Sequence, residues 1–239
     1  MASHRAPEAL PPLSGQDVER LKRDAARASA ELVHDGMRVG LGTGSTVAHL
    51  LAALGERAAE LRSARFAATS PATAEIARSL GLHVEDLDAL GELELAIDGA
   101  DQVDPDGWLV KGGGGAHTRE KIVAAAAQRF VVIVSANKLV AEIRPPVPLE
   151  LLRFGVGRTL QELGHARLRE GDAGPRQSPE GNLIGDYTGP VRDPATLAAR
   201  LSATPGVVEH GLFAPTMVSE IIAAGPAGLT RRLGAKPAT

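Results

Sequence analysis

The sequence contains no cysteine at any of its 239 positions. This absence excludes disulfide bonds, cysteine-ligated zinc and iron–sulfur clusters, and it fits a reducing compartment such as the cytoplasm. Long apolar runs are missing too, since no stretch of about 18 apolar residues occurs, and we expect no membrane span and no membrane partner. The first dozen residues lack the apolar core of a signal peptide, and we expect them to form a disordered tail.

Charge of one sign is not in excess either. The 26 lysines and arginines nearly balance 29 aspartates and glutamates, which leaves a formal net charge of −3 and predicts no nucleic-acid partner. The seven histidines show neither the H-x-H nor the H-E-x-x-H spacing, so the sequence predicts no metal site. Hydrophobic residues make up 44% and charged residues 23% of the chain, which is typical of a soluble globular protein.

Helical and strand patterns alternate as far as Ser135. Several of the expected strands are apolar on both faces, which indicates a parallel sheet covered by helices on both sides. The expected strands span residues 37–41, 65–69, 82–87, 93–98 and 130–135. The expected helices span about residues 15–35, 46–54, 71–81 and 118–128.

Three prolines between residues 145 and 148 mark a boundary. Beyond it we expect a helical stretch over residues 149–163, strands at 166–170 and 182–187, a helix at 194–201 and a strand near 207, which indicates a smaller α+β unit. We expect residues 211–222 to return to the first domain and the tail from Gly228 to be loosely ordered. The predicted domains are therefore residues 13–147 plus 212–239, and residues 148–211.

Three loops at the carboxyl ends of expected strands carry unusual residues, and ligands of an open α/β sheet bind at that edge. The first loop, residues 40–46 (GLGTGST), joins a strand to a helix, where backbone N–H groups favour an anion. It matches neither a dinucleotide fingerprint nor a P-loop. A small phosphate or carboxylate site is one interpretation, and a tight structural turn is the alternative. The candidate residues are Gly42, Thr43, Gly44, Ser45 and Thr46.

The aspartate loop, residues 98–101 (DGAD), directly follows the apolar strand LELAI. Two carboxylates at the mouth of a buried strand are poorly placed for a solvated surface. Asp98 and Asp101 are therefore candidates for acid–base chemistry or for holding the hydroxyl groups of a sugar. The alternative is that Asp98 only caps the turn and that Asp101 is solvated.

Four consecutive glycines, residues 112–115, form what we call the glycine loop, within the stretch KGGGGAHTREK. Glycine loses more conformational entropy on folding than any other residue, which favours a functional reason for such a run. Thr118 is expected to cap the next helix, which places Glu120 in its first turn. The glycines would let the chain pass close beneath a substrate as it turns from Lys111 into this helix. The alternative is that Glu120 only serves the cap and that Lys111 is a surface residue.

Two further residues lie near these loops. Lys138 follows the apolar strand FVVIV and would bring a cation to the same edge of the sheet, where it suits a phosphate. His117 stands three residues before Glu120 and could shift the pKa of that carboxyl, but the geometry of a helix start favours a ring that points away.

Taken in order, GLGTGST, DGADQVD, KGGGGAHTREK, SANK and PGVVEHGLF resemble ribose-5-phosphate isomerase of the A type, in spacing and flanking strands, between residues 32 and 213. The pairing of DGAD with KGGG and TREK is highly specific, whereas GTGST alone is not. The resemblance implies interconversion of ribose 5-phosphate and ribulose 5-phosphate through an enediolate, with a phosphorylated pentose as substrate and no metal or organic cofactor. It also implies a Rossmann-like main domain, a ferredoxin-like small domain and a homo-oligomer, either a dimer or a tetramer.

The resemblance also implies a role for each candidate residue. Glu120 occupies the position of the proton-shuttling base, and Lys111 that of the lysine which stabilises negative charge on the substrate oxygens. Asp98 and Asp101 match aspartates that contact hydroxyls and are proposed to assist ring opening. The positions matched to sugar- and phosphate-holding segments are Gly42, Thr43, Gly44, Ser45, Thr46, Gly112, Gly113, Gly114 and Lys138.

Two other functions fit parts of the same sequence. A sugar-phosphate sensor could share the fold without turning its ligand over, although such domains follow a helix-turn-helix and residues 1–35 offer only one helix. An enzyme of a different mechanism could use Lys111 to form a Schiff base with the sugar carbonyl. Binding without turnover would indicate the first, and a borohydride-trapped adduct the second.

Overall fold

The computed structural model describes residues 13–172 and 174–236, so the expected disordered tail of the first dozen residues lies outside the described residues. The helices of the described part are α1 (Gly15–Ala30), α2 (Ser45–Glu56), α3 (Pro71–Ser79), α4 (Leu87–Leu90), α5 (His117–Ala126), α6 (Val156–Leu163) and α7 (Pro194–Ala203). Within those two ranges, every helix is too short or too polar to cross a bilayer.

The strands fall into four sheets. They are β1 (Arg38–Leu41), β2 (Arg65–Ala68), β3 (His83–Val84), β4 (Leu93–Asp98), β5 (Gln102–Val103), β6 (Leu109–Val110), β7 (Ala127–Ser135), β8 (Val147–Leu151), β9 (Ala166–Leu168), β10 (Glu170–Gly171), β11 (Gly174–Pro175), β12 (Leu183–Tyr187), β13 (Val207–His210), β14 (Leu212–Phe213), β15 (Glu220–Gly225) and β16 (Gly228–Leu233). The strand orders are β16-β15-β7-β4-β1-β2-β3, β13-β8-β12-β9, β14-β6-β5 and β10-β11.

The seven-stranded sheet is parallel from β3 to β15, and only β16 runs antiparallel to its neighbour. Its central strands are buried on both faces, as their apolar runs predict. In β7, Val131 and Ile133 pack into a core with α1 and α2, whereas Phe130 and Val132 pack into a second core on the other face. The expected α/β architecture is therefore confirmed, and it brings the carboxyl ends of β1, β4 and β7 to one edge.

Residues 147–210, which we call the small unit, carry the four-stranded antiparallel sheet together with α6 and α7. β8 lies between β12 and β13, and Leu149 and Leu151 pack into the core of this unit. The chain then returns to the larger sheet, because β15 pairs in parallel with β7. The division into domains at residues 147 and 212 stays a prediction.

The structure corrects three expectations. The helix expected over residues 149–163 is wrong in its first half, because β8 is hydrogen-bonded on both sides and α6 begins only after Gly155, whose φ is +69°. The tail that was expected to be loosely ordered begins instead with β16 (Gly228–Leu233), paired with β15, and its last residues, 237–239, lie outside the described residues. The strand expected over residues 82–87 is shortened to β3, and the helix α4 follows it.

Candidate active site

The three loops and Lys138 meet at one cavity of about 110 Å³ beyond the carboxyl ends of β1 and β4. A larger groove of about 770 Å³ lies among α3, α4 and α5, but the buried lysine and carboxylates that could do chemistry line the smaller cavity. The predicted site residues that line it are Thr43, Gly44, Ser45, Thr46, Asp101, Lys111, Gly112, Gly113, Gly114, Glu120 and Lys138. The structure therefore brings together residues that lie up to 95 positions apart, from 43 to 138 (138 − 43 = 95).

Lys111 lies at the centre of the charged cluster, and its residue is only 2% exposed. Its Nζ donates to Asp98 Oδ2 at 2.7 Å and to the carbonyl of Gly99 at 2.6 Å, and it lies 3.1 Å from Glu120 Oε2. Burial works to lower the pKa of Lys111, but the two carboxylates outweigh burial and hold the pKa above its ordinary value. The ammonium group therefore stays charged in a site almost closed to water.

Asp98 is the better satisfied of the two carboxylates that face Lys111. Its Oδ1 accepts the N–H of Thr43 at 3.1 Å and its own neighbour's N–H, that of Gly99, at 2.7 Å. The first loop passes so close that a Cβ on Gly42 would lie 1.9 Å from Asp98 Oδ1, which is why this position requires glycine. Asp98 thus packs against the first loop and binds Lys111 through its other oxygen, Oδ2, and it is not among the residues that line the cavity.

Glu120 lies in the first turn of α5 and is 4% exposed. Its Oε2 is within ion-pair distance of Lys111 Nζ, yet it has no hydrogen bond with suitable geometry among the described residues. The pKa of Glu120 is raised to about 8, because burial, aided by the negative charge of Asp98, outweighs the opposing charge of Lys111. A carboxyl with a raised pKa at the wall of a cavity is suited to exchange a proton near neutral pH.

Asp101 connects the aspartate loop to the glycine loop. Its Oδ2 accepts the N–H of Gly113 at 2.8 Å, and a Cβ on Gly113 would lie 2.9 Å from Oδ1. The side chain is half-buried and lines the cavity. One oxygen of Asp101 is therefore used to hold the loop.

The first loop and Lys138 also line the cavity. Gly44 precedes α2 with a φ of +139°, which favours glycine, and Ser45 and Thr46 open the helix. Free N–H groups at a helix start attract anions. The hydroxyl of Thr43 is already engaged, because it hydrogen-bonds the hydroxyls of Thr69 at 2.8 Å and Thr73 at 3.1 Å.

The start of α5 corrects the expected cap. The helix begins at His117 with Ala116 as the N-cap residue, and Thr118 donates its hydroxyl to the buried Glu150 of β8 instead. Glu150 also accepts from the hydroxyl of Ser178 at 2.7 Å. The small unit therefore anchors the helix that carries Glu120, a role that local sequence could not indicate.

The ring of His117 is fully buried, with neither nitrogen hydrogen-bonded among the described residues. It lies against the glycine loop, since a Cβ on Gly112 would be 2.6 Å from its Nδ1. Burial lowers the pKa of His117 to about 4, so the ring is neutral at physiological pH. Its expected lack of influence on Glu120 stays a prediction.

Comparison with known proteins extends over most of the chain. Residues 65–228 match the family model described as ribose 5-phosphate isomerase A (phosphoriboisomerase A). A relative from Roseiflexus castenholzii, named ribose-5-phosphate isomerase A, is 45% identical over 223 residues, which cover 89% of this chain and 95% of the relative. A relative of the same name from Nitrobacter hamburgensis is 43% identical over 209 residues, covering 82% of this chain and 90% of the relative.

Solved structures agree with the sequence relatives. Ribose 5-phosphate isomerase A from Methanocaldococcus jannaschii is similar with a TM-score of 0.85 and 34% identity, over 90% of this chain and 99% of that one. A D-ribose-5-phosphate isomerase in complex with phospho-erythronic acid is similar with a TM-score of 0.86 and 34% identity, over the same 90% and 99%. The similarity therefore includes both the large sheet and the small unit.

Proposed function

Because the chain belongs to the ribose 5-phosphate isomerase A family, we infer that it is an aldose–ketose isomerase that interconverts D-ribose 5-phosphate and D-ribulose 5-phosphate in the non-oxidative pentose phosphate pathway. The observation that carries this function is the buried pair of Lys111 and Glu120 at the wall of a small polar cavity. The phospho-erythronic acid bound to a structural relative supports a phosphorylated ligand for this cavity.

Glu120 is the base that we propose for moving the proton between the two carbons of the substrate. The reaction removes a proton from C2 of the aldose to form an enediolate, moves the proton of the O2 hydroxyl to O1, and returns the first proton to C1. One carboxylate can serve both carbons if it lies beside the C1–C2 bond. The raised pKa of Glu120 makes its carboxylate a stronger base than an exposed glutamate, so it is suited to accept the proton.

Lys111 supplies positive charge where the enediolate oxygens become negative. Because Asp98 and the carbonyl of Gly99 already hold its ammonium group, little reorganisation is needed when the charge develops. Asp101 keeps an oxygen for a sugar hydroxyl on the cavity wall, which would assist ring opening. The start of α2 and Lys138 suit the phosphate. These groups complete an acid–base mechanism for which we propose no metal or organic cofactor.

Conversion of ribose 5-phosphate by the purified chain in excess EDTA tests this function. We expect ribulose 5-phosphate to form at an undiminished rate after metal removal. Binding of ribose 5-phosphate without turnover would instead indicate a sensor. Borohydride added during turnover should trap no adduct on Lys111, and a covalent product there would replace the enediolate mechanism with a Schiff base.

We further propose that the protein acts in the cytoplasm as a homo-oligomer, a dimer or a tetramer. The absence of cysteine supports a reducing compartment. Light scattering of the purified protein tests the second part, since a monomeric mass at micromolar concentration would contradict it.

A further inference from the structure

Arginines of the small unit reach across to the glycine loop. Arg169, which follows β9, donates its Nη1 to the carbonyls of Gly112 and Gly113, both at 3.0 Å. Arg176 donates its Nη2 to the carbonyl of Gly114 at 2.9 Å. Three successive carbonyls of a loop from the larger sheet are thus held by side chains more than 50 residues away, with separations of 57, 56 and 62.

Arg169 is in turn held by an ion pair with Asp186. Its Nε and Nη2 donate to the two carboxylate oxygens of Asp186, on β12, at 2.8 and 2.7 Å. Both side chains are largely buried, at 16% and 12% exposure. This two-pronged pair uses the planar geometry that only arginine has, and it leaves the third nitrogen, Nη1, aimed at the loop.

The peptide group between Gly112 and Gly113 is held at both ends. Its carbonyl oxygen accepts from Arg169 at 3.0 Å, and its N–H donates to Asp101 at 2.8 Å. A trans peptide presents these two atoms in opposite directions, so the two contacts oppose rotation of the peptide plane. Glycine has no Cβ to resist such a rotation, and without the two side-chain contacts this peptide would keep one hydrogen bond, from the N–H of Gly115 to the Gly112 carbonyl at 3.0 Å.

We propose that Arg169, oriented by Asp186, is a positioning residue that holds the Gly112–Gly113 peptide in the orientation that shapes the floor of the sugar site. This inference rests on the proposed function for its kinetic consequence. The loop lines the cavity directly. If the Gly112–Gly113 peptide is free to rotate, fewer molecules have a loop that can bind the sugar. The apparent affinity falls in proportion to the fraction of molecules that remain competent.

The catalytic pair has separate supports. Lys111 is held by Asp98 and by its backbone N–H, which donates to the carbonyl of Gly211 at 2.9 Å, and Glu120 is carried by α5. Loss of the Arg169 contact should therefore raise KM and largely spare kcat. A merely structural role would give the opposite pattern, since a misfolded fraction lowers the measured kcat and leaves KM unchanged.

The test compares Arg169→Lys with Arg167→Lys, the same change at an exposed arginine on β9. Lysine keeps the charge but cannot bind Asp186 with two prongs and reach the loop as well. For Arg169→Lys we expect KM for ribose 5-phosphate to rise about tenfold with kcat within about threefold of wild type. We expect Asp186→Asn to shift KM in the same direction and Arg167→Lys to shift neither constant.

Amide hydrogen exchange of the segment that spans the glycine loop gives a readout independent of activity. Exchange there should be faster in Arg169→Lys and in Asp186→Asn than in wild type, when each protein is measured at the same interval below its own melting temperature, because loss of this largely buried ion pair also lowers stability. Unchanged exchange and unchanged KM in Arg169→Lys would overturn the proposal, as would a fall in kcat alone. A wild-type protein that fails to isomerise ribose 5-phosphate would overturn the proposed function and leave the exchange comparison intact.

Discussion

Lys111 and Lys121 stand at the two ends of one stretch of sequence, and the ammonium groups of both lie over the ring of Phe213, at 5.5 and 4.9 Å from its centroid. Burial disfavours the charge of each. Lys111 faces two carboxylates, which raise its pKa above the ordinary value. Among the described residues, Lys121 forms an ion pair with one carboxylate, that of Glu209 at 2.7 Å, and there burial prevails, so the pKa of Lys121 is lowered.

The cluster of Lys111, Asp98 and Glu120 differs from the ion pair of Lys121 and Glu209 by one additional carboxylate. Glu120 shares Lys111 with Asp98, and one positive charge cannot offset both carboxylates in a buried site, so the pKa of Glu120 is raised to about 8. Burial also opposes the charge of Glu209, but Lys121 outweighs it and holds the pKa of Glu209 below its usual range. Two glutamates beside buried lysines therefore have opposite shifts.

Exchanging each glutamate for glutamine tests this contrast most severely. We expect Glu120→Gln to lower kcat by about 10²–10⁴-fold, since a positioned base contributes that much. Phosphosugar affinity and the melting temperature at pH 7 should stay close to wild type, because glutamine resembles the protonated carboxyl. Glu209→Gln should instead lower the melting temperature and spare kcat per folded molecule. A fall in kcat of less than about tenfold for Glu120→Gln would contradict the base assignment.

Replacing each lysine by methionine is the next test. Lys111→Met removes the charge beside the developing enediolate, and we expect kcat to fall by about 10²–10³-fold. Lys121→Met keeps a side chain of similar length in the same region, and we expect kcat to change by no more than about threefold. Steady-state kinetics on both variants measure the difference. Equal losses would show that Lys121 also takes part in the reaction.

A third lysine extends the comparison from chemistry to binding. Lys138 and Thr46 both line the cavity, and we propose that they bind the phosphate. We expect Lys138→Ala and Thr46→Ala to raise KM for ribose 5-phosphate by about tenfold, the worth of one or two charge-assisted hydrogen bonds, with a smaller change in kcat. A loss of kcat with KM unchanged would contradict the phosphate assignment.

The pH dependence of stability tests the raised pKa of Glu120 without a measurement of activity. The pKa of Glu120 is raised from 4.5 to about 8 on folding, so its contribution to stability is fully present below pH 4.5 and is lost as the pH rises through about 8. We expect the melting temperature of wild type to fall more steeply than that of Glu120→Gln between pH 6 and about pH 9. Parallel curves would show that the folded pKa of Glu120 is not raised.

The acid limb of the activity profile follows from the same shift. Because the base must be ionised, kcat/KM should fall about tenfold per pH unit below an apparent pKa near that of Glu120 in the free protein. A limb near pH 4.5 would indicate an ordinary exposed carboxylate.

Much of the larger sheet was predictable from local pattern, because continuous apolar runs such as FVVIV reflect burial on both faces. The secondary structure of the small unit was less predictable from local pattern. Leu149 and Leu151 have a spacing that suits either a strand or part of a helix, and pairing of β8 with two distant strands decided between them. Residues Gly228–Leu233 form β16 for the same reason, because they pair with β15 at the edge of the larger sheet.

The contacts that hold the site were beyond local sequence. Thr118 looked like a cap, but its hydroxyl binds Glu150, 32 residues away. Nothing around Arg169 or Asp186 marks them, because their contact with the glycine loop exists only once the small unit has folded against the larger sheet.

The sequence by itself determined the types of residue at the sheet edge, since the glycines, carboxylates and lysines stand directly after apolar strands. Tertiary structure alone decided what each one does. Burial raises the pKa of both Asp98 and Glu120, and Asp98 became a support and Glu120 the candidate base because they differ in the number of hydrogen bonds and in exposure to the cavity. Those two quantities arise only when segments far apart in sequence enclose the same small volume.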